Sequence, residues 1–295
     1  MRRLLRPAPL CAITGGGLVR AEHGHDPDAY VEIGSFTKVL TGTLLARLAE
    51  AGRLDADDRL TGWLPAVPAT SGITLRQLAD HTSGLPRLHP LPSSTDPRDP
   101  YATLGAEEFD RILRRLDEIA VRRPGATEEY SNLGYAVLGA ALEAAGGGTY
   151  EDLLREYVLG PLGVAEVTAR PPADRTLTAR GLFGRPRAPW TMTGPILPAG
   201  GLWATPRAVA ALVTGLLVDR ALGGPALSWQ SAGELRWHNG ATRDASVFAG
   251  AFPGTGVWAV VHRLGGRPAG TDRAGLKLLA EAKKAPQGRQ APRGR

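Results

Sequence analysis

The sequence predicts an α+β protein in which a helical insertion interrupts a sheet domain. Two observations lead to this fold class: strand-like patterns occur at both ends of the chain, and the region between them has helical periodicity. The length of 295 residues suits one large domain or two intimately joined ones. A hydrophobic content of 43% with 22% charged residues is typical of a soluble globular protein.

The first strands are predicted within residues 9–34, where the stretches LCAI, GGGLVRAEHG and AYVEIG are short and separated by glycine. The pattern changes at Ser35. From there, apolar residues recur at helical spacing, namely Val39, Leu40, Leu44, Leu45, Leu48 and Ala49. Since Gly52 is typical of a helix end, we expect a helix from Ser35 to about that residue.

The centre of the chain carries further helical patterns, separated by stretches rich in proline and glycine. These helices are predicted within 73–86, over 106–120, from about Ser131, and over 149–163. The stretch 86–105 is predicted to be a long loop or lid, and 164–199 has little periodicity.

The last third of the chain begins with a helix and ends mainly in strands. Thr205 as N-cap and Pro206 at the first helical position predict a helix over 204–219. Three strand-like stretches follow, ELRWHNGA, SVFAGAFP and GVWAVVHRL, and then a helix at about 272–284.

This order of elements predicts the domain organisation. Residues 1–62 and 200–285 are expected to form a discontinuous α/β sheet domain, and residues 63–199 a helical insertion domain. Residues 286–295 are expected to form a disordered basic tail, because they are rich in glycine, proline and arginine and contain no aromatic residue.

Charge and hydropathy exclude two kinds of partner. The net charge of +6 does not indicate nucleic-acid binding, because the arginines are scattered along the chain. No apolar run reaches the roughly 18 residues that a membrane span needs. Because no signal peptide is visible either, we expect the chain to stay in the cytoplasm.

The sequence indicates no metal and no cofactor. Cys11 is the only cysteine, which excludes an internal disulfide and a thiolate metal site. The stretch HGHDPD at 23–28 matches the ligand pattern of metal-dependent hydrolases only loosely, so a surface turn is expected. His81 is interpreted as structural and His262 as a core or rim residue.

Lys38 is the first candidate for chemistry. The chain has four lysines against 31 arginines, yet a lysine stands three residues after Ser35. A helix that begins at Ser35 would place the amine of Lys38 within reach of the Ser35 hydroxyl. A lysine can lose its proton in an apolar setting and then act as a base, whereas an arginine cannot. Ser35 and Lys38 are therefore the predicted nucleophile and base.

Two further stretches offer polar groups. In EYSNLG, Tyr130 could relay a proton and the Asn132 amide could hold a substrate carbonyl, although a packed tyrosine and an ordinary N-cap would look the same. In WHNGA, His238 could donate a hydrogen bond or a positive charge to a substrate anion. There, Gly240 would let the substrate approach the Ala241 N–H. The alternative for Asn-Gly is a hairpin turn.

Taken in order, SFTK, YSN and HNG resemble the three motifs of the penicillin-recognising serine enzymes, Ser-x-x-Lys, Tyr-x-Asn and Lys- or His-x-Gly. This family includes class C β-lactamases, DD-peptidases and related esterases. The likeness extends over about residues 11–285, in stretches such as ITLRQLADHTSGLP and PAGGLWATPRAVAAL.

The resemblance implies a β-lactamase/transpeptidase-like fold, with helices flanking an antiparallel sheet and the active site at the seam with a helical domain. It also implies acyl transfer through Ser35, with Lys38 and Tyr130 moving the proton. The backbone N–H groups of Ser35 and Ala241 would form the oxyanion hole. Asn132 would position Lys38 and the substrate.

The implied substrates are small-molecule esters, D-aminoacyl amides or peptides, and β-lactams. His238 stands where β-lactamases usually carry lysine. A neutral imidazole binds a carboxylate less strongly than an ammonium group does, so esterase or peptidase activity is favoured. A transacylase of the same family and a non-catalytic ligand-binding homologue are the alternatives.

Overall fold

The computed structural model describes residues 7–90, 95–181 and 184–284, and its main feature is an antiparallel sheet. Its strands are β1 (Leu10–Thr14), β2 (Val19–Glu22), β3 (Val31–Glu32), β4 (Val167–Thr168), β5 (Trp203–Ala204), β6 (Gln230–Ala232), β7 (Leu235–Ala241), β8 (Ala245–Phe252) and β9 (Val257–Leu264). Six of them form a sheet in the order β2-β1-β9-β8-β7-β6, in which all neighbours are antiparallel. The short strands β3, β5 and β4 form a second sheet.

The helices occupy mainly the centre of the chain. They are α1 (Thr37–Glu50), α2 (Leu75–Ala79), α3 (Ala106–Arg114), α4 (Leu116–Ile119), α5 (Asn132–Gly146), α6 (Tyr150–Leu154), α7 (Leu197–Gly200), α8 (Pro206–Val213) and α9 (Pro268–Lys284). α6 and α8 each continue into a π-helical turn, Arg155–Leu159 and Thr214–Val218 respectively.

Alternation along the strands gives the large sheet two apolar faces. On β9, Val260 belongs to the main core, whereas Val261 faces the other side and packs near α9. On β8, Val247 points to the main core and Phe248 to α9, where the side chain lies close to Gly275. The sheet is therefore covered on both faces, and its strand β7 lies beside the turn that precedes α1.

The large sheet combines strands from both ends of the chain, since β1 pairs with both β2 and β9. In the small sheet, β4 comes from the predicted helical insertion and pairs with β5 from the predicted sheet domain. The division at residues 62 and 199 stays a prediction. The predicted basic tail, residues 286–295, lies outside the described residues.

Several elements differ from the sequence prediction. The chain forms a 3-10 turn at Gly34–Phe36 before α1 begins, so Ser35 precedes the helix. The helix predicted over 106–120 breaks at Arg115, which leaves the helical region at φ −117° and separates α3 from α4. The dipeptide Asn239-Gly240 lies inside β7, so the alternative of a hairpin turn is wrong.

Other local predictions are confirmed. Thr205 caps α8, since its side chain accepts a hydrogen bond from the N–H of Ala208, and Pro206 opens the helix. Ser131 caps α5 in the same way, through the N–H of Gly134. Within the described ranges, no helix is both long and apolar enough to cross a membrane.

Candidate active site

Ser35 lies in the 3-10 turn that leads directly into α1. Gly34 forms this turn with a φ of +48°, in the left-handed region that favours glycine. A β-carbon at Gly34 would also come within 2.8 Å of the backbone nitrogen of Ala241. The turn therefore requires glycine for two reasons, and it leaves Ser35 half-buried at the start of the helix.

Lys38 lies in the first turn of α1 and is 0% exposed. Its Nζ lies 3.3 Å from Ser35 Oγ. The same nitrogen contacts Asn132 Oδ1 at 2.8 Å and the carbonyl oxygen of Ala199 at 2.5 Å. Since Asn132 begins α5 and Ala199 belongs to α7, three helices meet at this amine.

The surroundings of Lys38 favour the uncharged amine. Burial, followed by the positive charge of Arg87, holds the pKa of Lys38 well below its usual value of 10.5. The oxygens of Asn132 and Ala199 can only accept hydrogen bonds, so they take the two N–H groups of a neutral amine. The lone pair of the nitrogen is then directed at the Ser35 hydroxyl, as a general base requires.

Tyr130 completes the contacts of the Ser35 hydroxyl. Its own hydroxyl donates a hydrogen bond to Ser35 Oγ at 2.5 Å. Burial raises the pKa of Tyr130, so the phenol keeps its proton at neutral pH. Tyr130 is consequently a donor in the resting site, and the proton of Ser35 is left to Lys38.

His81 holds Tyr130 in place. The two rings pack with centroids 4.6 Å apart, and His81 Nδ1 accepts the backbone N–H of Ser131 at 3.1 Å. His81 adopts a φ of +64°, which histidine tolerates better than most residues. Burial lowers its pKa to about 3, so it acts as a neutral support.

The Asn132 amide is held by hydrogen bonds on both of its polar atoms. Its Nδ2 donates to the hydroxyl of Tyr101 at 2.7 Å, while its Oδ1 faces Lys38. The Tyr101 ring meets Trp190 edge-on, with centroids 5.6 Å apart. Tyr101 therefore fixes which end of the amide points at the amine of Lys38.

β7 approaches the Ser35 turn very closely. A β-carbon at Gly240 would lie 2.0 Å from the carbonyl oxygen of Ile33 and 3.0 Å from the nitrogen of Phe36, so only glycine fits. The next residue, Ala241, is exposed and has its backbone against Gly34. This contact brings together the two segments that carry the predicted oxyanion donors.

His238 lies on the same face of β7 as Gly240 but is only 2% exposed. Its Nδ1 lies 2.6 Å from the carbonyl oxygen of Asn239, and since a carbonyl only accepts, Nδ1 carries the proton. Burial lowers the pKa of His238 to about 4. Of its two predicted roles, hydrogen bonding is therefore favoured over carrying a positive charge.

The structure brings most of the predicted residues together. Ser35, Lys38, Tyr130 and Asn132 form one hydrogen-bonded group. Sequence reasoning missed Gly34, Tyr101 and Arg87, and it assigned His81 no part in the site. The glycine directly before Ser35 was a detectable signal for a special turn, whereas the contacts of the other three depend on tertiary packing that no local pattern encodes.

Sequence similarity assigns the chain to a family of known proteins. The sequence pattern of the protein family described as Beta-lactamase matches residues 8–274 of the chain. The chain belongs to the beta-lactamase family.

Curated relatives of this beta-lactamase-family chain match part of their length. D-alanyl-D-alanine-carboxypeptidase/endopeptidase AmpH of Escherichia coli (strain K12) is 33% identical over 187 residues, which is 61% of this chain and 46% of AmpH. Penicillin-binding protein 4* of Bacillus subtilis (strain 168) is 30% identical over 135 residues, which is 46% of this chain and 29% of that protein. The matches thus span about half or less of these relatives.

Solved structures confirm the predicted fold. The beta-lactamase/D-alanine carboxypeptidase from Yersinia pestis superimposes with a TM-score of 0.75 at 22% identity, over 94% of this chain and 93% of that one. The class C beta lactamase from Rhodobacter sphaeroides gives a TM-score of 0.72 at 19% identity, over 93% of each chain. The predicted β-lactamase/transpeptidase-like α+β fold is therefore confirmed.

Proposed function

We propose that this protein is a serine acyl hydrolase that works through a covalent acyl-enzyme on Ser35. The observation that carries the proposal is the position of Ser35 Oγ, which lies 3.3 Å from Lys38 Nζ and 2.5 Å from the hydroxyl of Tyr130. A nucleophile within reach of both a neutral amine and a protonated phenol has a base and an acid at hand.

The proton pathway follows from the protonation states of the two neighbours. Lys38 takes the proton of the Ser35 hydroxyl as Oγ bonds to the substrate carbonyl carbon. When the tetrahedral intermediate collapses, Tyr130 gives its proton to the leaving group and recovers one from Lys38. Water then attacks the acyl-enzyme with the same groups acting in reverse, which releases the acid and restores the site.

The oxyanion is proposed to bind between the backbone N–H groups of Ser35 and Ala241. The contact of Gly34 with the Ala241 backbone supports this, because it keeps β7 beside the serine turn. Such donors act on the charge that develops in the transition state, and losing one typically costs about 3 kcal/mol of its stabilisation. Both donors are backbone groups, so no side chain has to move for them to bind the oxyanion.

The proposed substrates are small-molecule esters, D-aminoacyl amides or peptides, and β-lactams. The name of AmpH, a carboxypeptidase and endopeptidase for D-alanyl-D-alanine, supports the peptide class. His238 is neutral, so it offers a substrate carboxylate a hydrogen bond but not the fixed positive charge that a lysine at this position would offer.

The proposal is tested by active-site labelling. A fluorophosphonate should add one phosphonyl group to the wild-type protein, detected by intact-protein mass spectrometry, and Ser35→Ala should abolish the adduct. Ser231→Ala, at an exposed serine on β6, is the matched control and should label normally. An adduct that survives Ser35→Ala would exclude Ser35 as the nucleophile, and no adduct on the wild type would favour the non-catalytic homologue.

Turnover identifies the substrate class. p-Nitrophenyl esters, D-aminoacyl amides and a chromogenic cephalosporin should be tested in parallel, with an added alcohol or amine as a competing acceptor. We expect hydrolysis of at least one of the first two classes. Acylated alcohol or amine as the main product would point to the transacylase instead.

A further inference from the structure

Arg87 occupies a fixed position beside the catalytic group. Its carbonyl oxygen accepts the N–H of Asn132 at 3.0 Å, and the carbonyl oxygen of Pro86 accepts the hydroxyl of Ser131 at 2.7 Å. The backbone before Arg87 is therefore tied to the beginning of α5. This tie holds the residue next to Asn132, which contacts Lys38.

The side chain of Arg87 lies against the ring of Tyr130. Its Cζ is 5.2 Å from the centroid of the Tyr130 ring, while the amine of Lys38 lies 4.8 Å from the same centroid. Arginine stacks readily on aromatic rings and keeps free donors at its edge. Unlike Lys38, Arg87 is exposed, so its guanidinium can meet a ligand that enters the site.

The charge of Arg87 has no carboxylate to neutralise it among the described residues, where no ion pair includes this side chain. Arg122 provides the contrast, because its Nε pairs with Glu129 Oε2 at 2.8 Å. The uncompensated charge of Arg87 reaches into the site: after burial, it is the second cause of the lowered pKa of Lys38, and it opposes the rise that burial causes in the pKa of Tyr130. His238 is neutral and buried, and thus cannot supply a comparable cation at the opening.

We propose that Arg87 binds a carboxylate of the substrate and makes the protein selective for anionic substrates over neutral ones of the same shape. This inference rests on the proposed acyl-transfer site at Ser35 and adds a recognition group to it. A guanidinium matches the geometry of a carboxylate with two parallel N–H donors, which a carboxamide cannot accept equally well. Stacking on the Tyr130 ring would hold the guanidinium of Arg87 beside the Ser35 hydroxyl.

Binding tests the inference without turnover. In Ser35→Ala protein, calorimetry should compare m-carboxyphenyl butanoate with m-carbamoylphenyl butanoate, which differ in charge but hardly in shape. We expect the carboxylate to bind about tenfold more tightly, the order of one charge-assisted hydrogen bond. Adding Arg87→Gln should equalise the two affinities, and Arg87→Lys should keep part of the preference.

Arg122→Gln in the same background is the matched control, because it removes an exposed arginine whose charge is already paired. It should leave the preference unchanged. Equal affinities for the two esters in Ser35→Ala protein, or a preference that survives Arg87→Gln, would overturn the assignment. Thermal unfolding of each variant verifies that a lost preference does not come from a lost fold.

Turnover separates this inference from the proposed function. With Ser35 intact, the ratio of kcat/KM values for the two esters should fall about tenfold on Arg87→Gln and stay constant on Arg122→Gln. If the wild-type protein hydrolyses neither ester and takes no fluorophosphonate adduct, yet the binding preference depends on Arg87, the hydrolase proposal fails and the recognition role stands. If both esters are hydrolysed with a ratio that Arg87→Gln does not change, the recognition role fails alone.

Discussion

The proposed role of Lys38 as a base requires an uncharged amine, and that requirement should make the position intolerant of arginine. Lys38→Arg places a guanidinium that does not deprotonate beside Ser35. We expect the rate of fluorophosphonate labelling to fall by about 10²-fold or more, the usual contribution of a general base. Stopped-flow or quenched labelling followed by mass spectrometry measures this rate.

Lys277→Arg is the control for that substitution, since Lys277 is an exposed residue of α9. Its labelling rate should equal that of the wild type. Comparable rates for Lys38→Arg and Lys277→Arg would show that Ser35 reacts without the amine, and the role of Lys38 would have to be abandoned.

We infer that Tyr101 acts indirectly, as a positioning residue for Asn132. Tyr101→Phe keeps the ring against Trp190 but removes the acceptor of Asn132 Nδ2, which frees the amide to turn its N–H groups toward Lys38. We expect kcat/KM to fall about tenfold, corresponding to one lost buried hydrogen bond. A turned Asn132 amide no longer stabilises the ammonium form of Lys38, which lowers the pKa of Lys38. The acid limb of the pH–rate profile should therefore move to lower pH.

The control for Tyr101 makes the same chemical change elsewhere. Tyr157→Phe alters a half-buried tyrosine in the π-helical turn after α6, away from the four hydrogen-bonded residues of the site. The pH–rate profile of Tyr157→Phe should match that of the wild type. If Tyr101→Phe lowers stability but does not shift the profile, its role is structural only.

The strand β7 contributes to the site through its backbone, so its glycine is more sensitive than most side chains. Gly240→Ala would place a β-carbon 2.0 Å from the carbonyl oxygen of Ile33 and force β7 away from the serine turn. We expect a loss of about 1–3 kcal/mol in the free energy of unfolding, as overpacking generally causes. The displaced Ala241 donor should reduce kcat/KM by about 10²-fold, the scale that a shift of roughly 1 Å can produce.

Gly254→Ala is the matched control, because Gly254 lies between β8 and β9 with open space around its Cα. It should change neither the free energy of unfolding nor kcat/KM appreciably. Urea unfolding and ester hydrolysis measure the two quantities. A Gly240→Ala protein with wild-type activity would contradict the proposed oxyanion donor on β7.

Helices and their caps could be predicted from the sequence where the signal comes from neighbouring residues. The caps at Thr205 and Ser131 and the periodicity of α1 follow from neighbouring residues, and the structure agrees. The placement of Asn239-Gly240 within a strand could not be inferred from local preference, since that dipeptide favours hairpin turns. The deciding influence is the pairing of β7 with β8, a tertiary interaction that overrides turn propensity.

The molecule as a whole carries an unusual set of buried histidines, which makes its stability depend on pH. Burial lowers the pKa of His25 to about 4 and of His262 to about 3, and the two rings contact each other at 2.8 Å between Nε2 and Nδ1. An unfolded chain protonates these rings below about pH 6.5, whereas the folded protein resists until about pH 4. The stability that these two rings contribute is therefore complete above pH 6.5 and declines as the pH falls toward 4.

Urea unfolding of the wild type and of His262→Phe at pH 7 and pH 5 measures this contribution, which should be about 2 kcal/mol smaller at pH 5 for each ring. His262→Phe should lower stability at pH 7 but flatten its change between the two pH values. His23→Gln alters an exposed histidine and should reproduce the wild-type slope. Equal changes in stability between pH 7 and pH 5 for the wild type and His262→Phe would contradict the buried, neutral state of the pair.

The overall fold was largely accessible from the sequence, and the details of the site were less so. The motifs around Ser35, Tyr130 and His238 indicated the family, and the family resemblance predicted the arrangement of the sheet and the helices. The hydrogen bond from Asn132 to Tyr101 and the stacking of Arg87 on Tyr130 join loop residues to helix residues distant in sequence. Such contacts form only after the loops pack, and residue patterns do not record them.

The position of β1 between β2 and β9 has a consequence for how the protein is made. During translation, the hairpin of β1 and β2 emerges long before β9 is synthesised, so the edge of β1 that β9 will occupy stays open. Ser35 likewise emerges some two hundred residues ahead of Ala241. A nascent chain therefore exposes an unpaired strand and lacks the assembled catalytic group until synthesis nears its end, and premature termination yields an inert, aggregation-prone fragment.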